Sequence, residues 1–229
     1  MLRLILLIVL FAVPAFGAEF PFTSAKEFPQ TGPRIARGAL VWLPGTYGPD
    51  QPGPPNPPDM VARFAGRHFD VFQFLRPRGN DPLAGSGETL LRGLTALRAL
   101  GYKRIVVAGH SRGAWIALSV MAHPSLADAV VAVSPGAFGT RPERQPEARA
   151  SWEALWRAAR APDMRVVLVQ LADDPYDPDP TWRLAIARRA KVRLKSVYRP
   201  PEPSGHIGVY DPHFDERLGA AIAAFADPR

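Results

Sequence analysis

The sequence predicts an α/β protein, with one domain built on a mainly parallel β-sheet that helices cover on both faces. Short apolar runs that are continuous rather than alternating indicate strands buried on both faces. These runs alternate with segments of helical periodicity, an order typical of strand–helix–strand units. A length of 229 residues fits one core, because single cores usually stop growing at about 250 to 300 residues.

The first 18 residues have the features of a secretory signal peptide. One basic residue, Arg3, precedes the apolar run Leu4 to Val13, and small residues follow. This run is shorter than the about 20 residues that a membrane-spanning helix needs. We therefore expect cleavage after Gly17 or Ala18, a periplasmic or secreted location, and a mature domain of residues 19–229. An uncleaved membrane anchor is the alternative, and it would be the protein's only contact with a membrane.

The strands and helices are predicted from residue 38 onward. The predicted strands are Ala39 to Leu43, Phe69 to Phe74, Arg104 to Ala108, Ala129 to Val133, Arg165 to Leu171 and Val192 to Tyr198. The predicted helices are Met60 to Arg67, Glu88 to Leu100, Ala114 to Ala122, Ala148 to Arg160, Thr181 to Ala190 and Glu216 to Phe225. Right-handed crossovers would place the loops that follow the strands at one edge of the sheet, where ligands bind in such folds.

Composition and charge exclude several classes of protein. Hydrophobic residues make up 47% and charged residues 21%, which excludes disorder and a multi-span membrane protein. The absence of cysteine excludes a disulfide scaffold, a thiolate zinc site and a catalytic thiol. The net charge of +7 is spread along the chain, and its densest cluster has few aromatic neighbours, so we expect a solvated basic face and no nucleic-acid partner. That cluster is Arg183, Arg188, Arg189, Lys191, Arg193 and Lys195.

A nucleophilic serine is predicted at Ser111. The motif Gly-His-Ser-Arg-Gly spans residues 109 to 113, between a predicted strand and a predicted helix. Turning a strand into a helix within so few residues forces the central serine into a strained backbone conformation, and the two glycines let strand and helix approach each other. The serine oxygen would then stand out at the edge of the sheet, beside the unpaired N–H groups of a helix amino terminus.

A serine hydroxyl needs a histidine base to become an effective nucleophile. Two histidines at the ends of elements favour capping or solvent exposure: His68 and His123. His110, inside the motif, is expected to point away from Ser111 if alternate residues diverge. His206 follows the last predicted strand in a glycine-flanked loop at the ligand edge, whereas His213 falls in the first turn of the final helix. We favour His206 and keep His213 as the alternative.

The carboxylate that orients the histidine is expected in the loop after the strand Arg165 to Leu171. This loop holds four acids: Asp173, Asp174, Asp177 and Asp179. Asp174 is the first choice because the proline after it favours an extended backbone. Asp177 is the second choice and Asp173 the third, while Asp179 suits the cap of the next helix. The spacing of these acids does not match a calcium-binding loop.

The order Ser111, Asp174, His206 resembles that of the α/β-hydrolase superfamily of serine esterases and lipases, over nearly all of residues 38–229. The motif at residues 109–113 is the specific part of the resemblance. Triad chemistry of this kind uses no metal and no cofactor.

The resemblance also implies where an oxyanion would bind. The first donor would be the N–H of Arg112, and the second would come from the loop after the first predicted strand, at Thr46 or alternatively Tyr47. Many members of the superfamily carry a histidine before the glycine of that loop, where this chain has Pro44 before Gly45.

Members of the superfamily often insert a lid domain after the strand that corresponds to Ala129 to Val133. The interval 134–164 is too short for such a domain, so we expect one helix and a loop. Within that helix, four residues recur at i, i+3, i+4 and i+7 and form one apolar face: Trp152, Leu155, Trp156 and Ala159. Core packing is the favoured interpretation of this face, and a wall of an acyl pocket is the alternative.

These features together predict an exported serine hydrolase that cleaves small carboxylic esters through an acyl-enzyme. A thioesterase, an amidase or a peptidase with the same three residues is the alternative within enzymes. The alternative outside enzymes is a catalytically silent scaffold whose arginines bind an anionic envelope surface.

Overall fold

The computed structural model of the chain describes residues 20–47, 55–74, 76 and 81–228. The predicted signal peptide, residues 1–18, lies outside the described residues. Within these ranges no helix combines the length and the apolar character that crossing a bilayer requires.

Seven strands form one sheet. They are β1 (Phe22–Ser24), β2 (Gly38–Leu43), β3 (Phe69–Phe74), β4 (Ile105–His110), β5 (Ala129–Val133), β6 (Arg165–Gln170) and β7 (Arg193–Tyr198). Their order across the sheet is β1-β3-β2-β4-β5-β6-β7. Every neighbouring pair is parallel except β1 and β3, which are antiparallel. The predicted, mainly parallel sheet is confirmed.

Helices cover both faces of this sheet. They are α1 (Ala62–Ala65), α2 (Leu83–Leu100), α3 (Arg112–Leu118), α4 (Gln145–Arg157), α5 (Pro180–Ala187), α6 (Pro212–Phe214) and α7 (Ala220–Ala226). Helices α2, α3, α4 and α5 bury their apolar residues in one core cluster, and α1, α6 and α7 bury theirs in a second cluster on the opposite face. All residues of β2 to β5 are buried between the two clusters, which is why these strands read as continuous apolar runs.

The structure differs from the prediction mainly at the ends of elements. Helix α2 begins at Leu83 rather than at Glu88, because two early glycines hide its first turn in the sequence pattern. The predicted helix Ala114 to Ala122 is α3 followed by a 3₁₀ turn over Ser119–Ala122. A π-helical turn over Asp215–Gly219 precedes α7.

Strand β1 was not predicted. It spans only three residues, too few to show a periodicity. Its Phe22 packs so closely on α2 that a Cβ atom added at Gly93 would collide with the Phe22 ring. A glycine on the facing helix therefore makes room for this edge strand.

The interval 134–164 contains one 3₁₀ turn, Pro142–Arg144, and helix α4. The prediction that no large lid domain is inserted here is confirmed. In the part of the chain that the structure describes, the carboxyl ends of β2, β4, β5 and β6 therefore open onto a cleft that no domain covers.

Candidate active site

The turn between β4 and α3 has the strained backbone that its motif predicts. Ser111 adopts φ 54° and ψ −122°, a region that residues with a side chain rarely enter. A Cβ atom on Gly109 would lie 2.7 Å from the carbonyl carbon of Gly113, and one on Gly113 would collide with the backbone oxygens of Leu43 and Pro44. The two glycines are thus required because the turn packs directly against its own helix and against the end of β2.

The three catalytic residues predicted from the sequence, Ser111, His206 and Asp174, are connected by hydrogen bonds. The Oγ of Ser111 lies 2.8 Å from Nε2 of His206. The other ring nitrogen, Nδ1, lies 2.9 Å from Oδ1 and 3.0 Å from Oδ2 of Asp174. In the tautomer that matches these contacts, the serine hydroxyl donates to Nε2 and Nδ1–H donates to the carboxylate.

The loop after β6 holds Asp174 and covers His206. The side chain of Asp174 is almost fully buried, and the backbone N–H of Tyr176 donates to its Oδ1 at 2.8 Å. The ring of Tyr176 stacks on the ring of His206, with 4.2 Å between centroids. The loop therefore orients the imidazole by a hydrogen bond at its edge and by contact with its face.

The other acids of that loop have different partners. Asp177 is buried, accepts a 2.7 Å hydrogen bond from Gln170 and lies 3.3 Å from the guanidinium of Arg183. Burial raises the pKa of the Asp177 carboxyl. Asp173 points to solvent, and Asp179 is the cap residue of α5, where its carboxylate pairs with Arg149. Of the four, only Asp174 contacts His206.

One member of the predicted basic face is not on the surface. Arg183 is 5% exposed, because it balances the buried Asp177 and donates a 3.0 Å hydrogen bond to the carbonyl oxygen of Pro135. The expectation of a solvated face was wrong for this residue. Its guanidinium instead supports the loops after β5 and β6.

The remaining histidines separate into two groups. His68, His123 and His213 are exposed, and His213 bonds to Asp211 in the first turn of α6, so the alternative base does not lie at the site. His110 lies against His206, with 4.9 Å between ring centroids, and its Nε2–H donates to the carbonyl oxygen of His206 at 2.8 Å.

The position of His110 was missed from the sequence. We expected alternation along the strand to direct it away from the serine, but it lines the same cleft. Burial, and then the neighbouring His206, lower the pKa of His110 to about 4, so the ring is neutral near pH 7. Its place at the carboxyl end of β4 was the one available signal.

The loop after β2 lies against the turn of Ser111. A Cβ atom added at Gly45 would lie 3.2 Å from the Cβ of Ser111 and 3.1 Å from Nδ1 of His110. Thr46 and Tyr47 follow Gly45, and both line the cleft beside Arg112. Both predicted oxyanion donors, at Arg112 and Thr46, therefore belong to segments adjacent to the serine.

The cleft above Ser111 has a volume of about 1500 Å³ and is partly open to solvent. Helix α4 forms one wall through a face with i, i+3, i+4 and i+7 spacing: Glu147, Ala150, Ser151 and Ala154. The other face of α4 is in the core, where Trp152 and Trp156 are buried. Core packing of the apolar face is confirmed, and the cleft uses the face that the hydrophobic pattern did not mark. In the described ranges, no three His, Asp or Glu side chains are grouped so as to hold a metal ion.

Comparisons with known proteins identify the fold. No protein-family model matches the chain. No curated protein sequence matches it. Est1E from Butyrivibrio proteoclasticus superimposes with a TM-score of 0.59 at 14% identity, over 89% of this chain and 90% of that one. The Pyrococcus furiosus esterase Pf2001 gives 0.58 at 15% identity, over 83% and 80%. A serine hydrolase involved in carbazole degradation, the CarC enzyme, gives 0.57 at 15% identity, over 85% and 93%.

These structures and this chain share the α/β-hydrolase fold. The resemblance drawn from the sequence is thus confirmed at the level of the fold. Strand order, crossovers and the helix that follows the serine turn all agree with that architecture.

Proposed function

We propose that the protein is a serine hydrolase that cleaves carboxylic esters through an acyl-enzyme. The observation that carries this proposal is the chain of hydrogen bonds from Ser111 through His206 to Asp174. It starts at a serine with a strained backbone, and that serine lines the cleft. A serine held in such a conformation only to form a turn would need neither a histidine on its oxygen nor a buried carboxylate behind that histidine.

In the first half of the reaction, Oγ of Ser111 attacks the ester carbonyl carbon while Nε2 of His206 takes the hydroxyl proton. Asp174 accepts a hydrogen bond from Nδ1–H and stabilises the imidazolium that forms. The carbonyl oxygen becomes an oxyanion, for which the N–H groups of Arg112 and Thr46 are the proposed donors. When the tetrahedral intermediate collapses, the bond to the alcohol oxygen breaks and His206 returns the proton to that oxygen.

In the second half, water replaces the alcohol. His206 takes a proton from water as the water oxygen attacks the acyl carbon, and a second oxyanion forms in the same place. Its collapse breaks the bond to Ser111 and returns the proton to Oγ, which releases the carboxylic acid. Every proton transfer uses the same ring nitrogen, which lies 2.8 Å from the serine oxygen.

The choice of esters over thioesters, amides and peptides is supported by the similar structures. The Pyrococcus furiosus protein is described as an esterase, and one further similar structure is described with LipS and LipT, two lipolytic enzymes. Among the described residues no domain covers the cleft, so we expect a substrate to enter from solvent.

A series of p-nitrophenyl esters of increasing acyl length tests the proposal on the purified protein. We expect saturable turnover that starts with a burst of about one p-nitrophenol per active site. Ser111→Ala should lower kcat by about 10⁶, the cost measured when such nucleophiles are removed. Ser151→Ala is the matched control, because Ser151 lines the same cleft but bonds to Trp115 rather than to a base.

Two results would contradict the proposal. Turnover retained by Ser111→Ala would exclude the acyl-enzyme at this serine. Faster turnover of a p-nitroanilide or a thioester than of every ester in the series would keep the serine but change the substrate class. A fluorophosphonate probe that labels the wild type and not Ser111→Ala, located by peptide mass spectrometry, checks the site independently.

We also propose that the protein is exported, since its first 18 residues have the charge, length and small-residue pattern of a cleaved signal. Fractionation of cells that express the full chain, with sequencing of the mature amino terminus, tests this. We expect a periplasmic or secreted protein that begins at residue 18 or 19. Retention in the membrane with an intact amino terminus would contradict it.

A further inference from the structure

A buried cluster of three charged side chains lies behind the loop that follows β2. Asp81 is at its centre, between Arg76 and Arg112, and the side chains are 1%, 1% and 8% exposed. Asp81 Oδ1 accepts from Nη1 of Arg76 at 2.7 Å and from Nε of Arg112 at 3.1 Å. The hydroxyl of Ser86 donates to the other carboxylate oxygen. Two guanidinium groups thus share one carboxylate, and the cluster has a net positive charge.

Arg76 holds the loop that carries Thr46. Its Nη2 donates to the carbonyl oxygens of Pro44 and Gly45, both at 2.9 Å. The hydroxyl of Tyr47 donates to the carbonyl oxygen of Arg76 at 2.7 Å. The two residues before Thr46 and the one after it are therefore bonded to the same arginine.

The geometry of a peptide unit connects this contact to the cleft. In a trans peptide the C=O and the N–H point in opposite directions. The peptide bond between Gly45 and Thr46 is trans, so the carbonyl held by Arg76 and the N–H of Thr46 lie in one plane and point in opposite directions. Arg76 lies buried behind the loop, whereas Thr46 lines the cleft. With the Gly45 carbonyl bonded to Arg76, the N–H of Thr46 therefore points away from Arg76.

The same cluster fixes the segment that carries the other donor. The guanidinium of Arg112 donates to the carbonyl oxygen of Ala137 at 2.9 Å and to that of Asp81. Arg112 is the first residue of α3, directly after Ser111. Through Asp81, the amino end of α3 and the loop of Thr46 are therefore held by one set of charge-assisted hydrogen bonds.

We propose that Arg76 is a positioning residue for the oxyanion site, which holds the Thr46 N–H in the direction needed to bind the oxyanion and strengthens that N–H as a donor. The inference rests on the proposed function, since it assigns a role in that reaction. A charged donor on a carbonyl polarises the whole peptide, which makes its N–H a stronger donor in a site of low dielectric constant. Arg76 does not touch the reacting atoms and acts through the Gly45–Thr46 peptide.

Arginine suits this place better than lysine. Its planar guanidinium binds Asp81 through one nitrogen while a second nitrogen reaches two carbonyl oxygens in fixed directions. A lysine ammonium keeps the charge opposite Asp81 but presents a single nitrogen atom. Arg76→Lys therefore tests the geometry of the hydrogen bonds to the loop while the charge of the cluster is kept.

The test compares Arg76→Met and Arg76→Lys with wild type and with Arg104→Met. The control variant removes an arginine from another buried carboxylate, Asp227, at the opposite edge of the sheet. For each protein, kcat and KM for a p-nitrophenyl ester are measured, together with the inhibition constant of an aryl trifluoromethyl ketone. Ser111 adds to the carbonyl carbon of that ketone, its proton passes to His206, and the resulting tetrahedral oxyanion occupies the site in question.

For Arg76→Met we expect kcat to fall about 10²- to 10³-fold, as when one oxyanion donor is lost. KM should stay within about threefold, because the contact is made in the transition state rather than in the ground state. Affinity for the ketone should fall by a similar factor to kcat. The pH midpoint of kcat/KM should not move, since the base is untouched. Arg76→Lys should lose at least about tenfold in both kcat and ketone affinity, and Arg104→Met should keep both.

Several results would overturn the inference. One is a folded Arg76→Met protein whose kcat stays within about threefold of wild type. Another is a loss of kcat without a loss of ketone affinity, or an equal loss in Arg104→Met, because either indicates a general structural effect. If Arg76→Met does not fold, Arg76→Lys decides, and wild-type values in that variant refute the inference. Equal turnover in wild type and Ser111→Ala would refute the proposed function instead, which keeps the two failures distinct.

Discussion

Asp174 and Asp177 lie three residues apart and differ in what surrounds their carboxylates. That of Asp174 receives Nδ1–H of His206 and the N–H of Tyr176, whereas that of Asp177 faces Gln170 and Arg183. The first set of partners orients an imidazole at the cleft. The second set compensates a buried charge below the loop. At the scale of the residue, the partners rather than the position in the loop separate the two acids.

Asparagine substitutions distinguish the two acids. Asp174→Asn should lower kcat by about 10⁴, because an amide in that place stabilises the wrong tautomer of His206. Asp177→Asn should leave kcat of the folded protein close to wild type but lower the free energy of unfolding by about 3 kcal/mol, because Arg183 loses its buried counterion. Steady-state kinetics and urea unfolding of both variants check this. A kcat loss confined to Asp177→Asn would exchange the two roles.

His110 makes the stability of the fold dependent on pH. In the unfolded chain a histidine has a pKa of about 6.5, whereas burial lowers the pKa of His110 to about 4. Between these two pKa values the unfolded state binds more protons than the folded state. The free energy of unfolding therefore increases as pH rises through this window and decreases as pH falls through it. The full difference is worth about 3 kcal/mol.

His110→Gln keeps an N–H donor for the carbonyl oxygen of His206 and cannot be protonated. Urea unfolding at several pH values from 7 to 4 should therefore show a flatter dependence in this variant than in wild type. His213→Gln is the control, because His213 is exposed in the first turn of α6. Parallel curves for wild type and His110→Gln would show that the pKa of His110 is not lowered.

At the scale of the element, helix α4 separates stability from the shape of the cleft. Its Trp152 is fully buried and donates from Nε1 to the carbonyl oxygen of Arg183 at 3.0 Å, whereas Ala154 is exposed in the cleft. Trp152→Ala should lower the free energy of unfolding by about 3 to 5 kcal/mol through the cavity it leaves. Ala154→Trp should leave stability nearly unchanged and raise KM for long acyl esters by filling the cleft.

The matched control for the cleft substitution is Ala158→Trp, an exposed position at the end of the same helix and outside the cleft. Urea unfolding and the ester series give the two readouts. If Ala154→Trp and Ala158→Trp have the same KM for every ester, this wall of the cleft does not contact the acyl chain.

The strands of the central sheet were predictable because a strand buried on both faces appears in the sequence as a continuous apolar run. From β2 to β7 the observed ends differ from the predicted ones by at most two residues. Strand β1 has no such run. Its three residues pair with β3, and its Phe22 fits against α2 only because residue 93 is a glycine. The helix starts were less accurate, because glycines in α2 and a π-helical turn before α7 obscure the helical period.

The serine turn was predictable for a different reason. Its backbone conformation depends on glycines two positions away, so the requirement is local and visible in five consecutive residues. The roles of His110 and Arg76 were not visible. They depend on contacts with His206 and with Pro44 and Gly45, residues at least 31 positions away in the chain.

The sheet has a carboxyl edge, where its parallel strands end, and an amino edge, where they begin. At the scale of the whole molecule, these two edges hold different kinds of buried charge. The carboxyl edge carries the cleft, with Asp174 and the cluster of Arg76, Asp81 and Arg112. The amino edge carries Asp227, which is fully buried at the end of α7. Three arginines from segments that lead into strands converge on it: Arg37, Arg67 and Arg104. This second cluster ties the last helix to the beginnings of the strands.

Because the two clusters lie at opposite edges, the one around Asp227 should affect stability without affecting turnover. Asp227→Asn leaves the arginines without their shared counterion, and we expect the free energy of unfolding to fall by about 3 kcal/mol. This is the lower end of the range for a buried pair, since Arg37, Arg67 and Arg104 remain 42%, 17% and 27% exposed to solvent.

Glu153→Gln is the control, because its pair with Arg157 is exposed and should contribute less than about 0.5 kcal/mol. Urea unfolding measures the stability of both variants, and titration with a fluorophosphonate counts the active sites so that kcat refers to folded protein. The kcat per active site of Asp227→Asn should equal that of wild type. A parallel fall in kcat and stability would mean that a change at the amino edge of the sheet alters the serine turn. Strand β4 would connect the two, because it begins beside Arg104 and ends at His110.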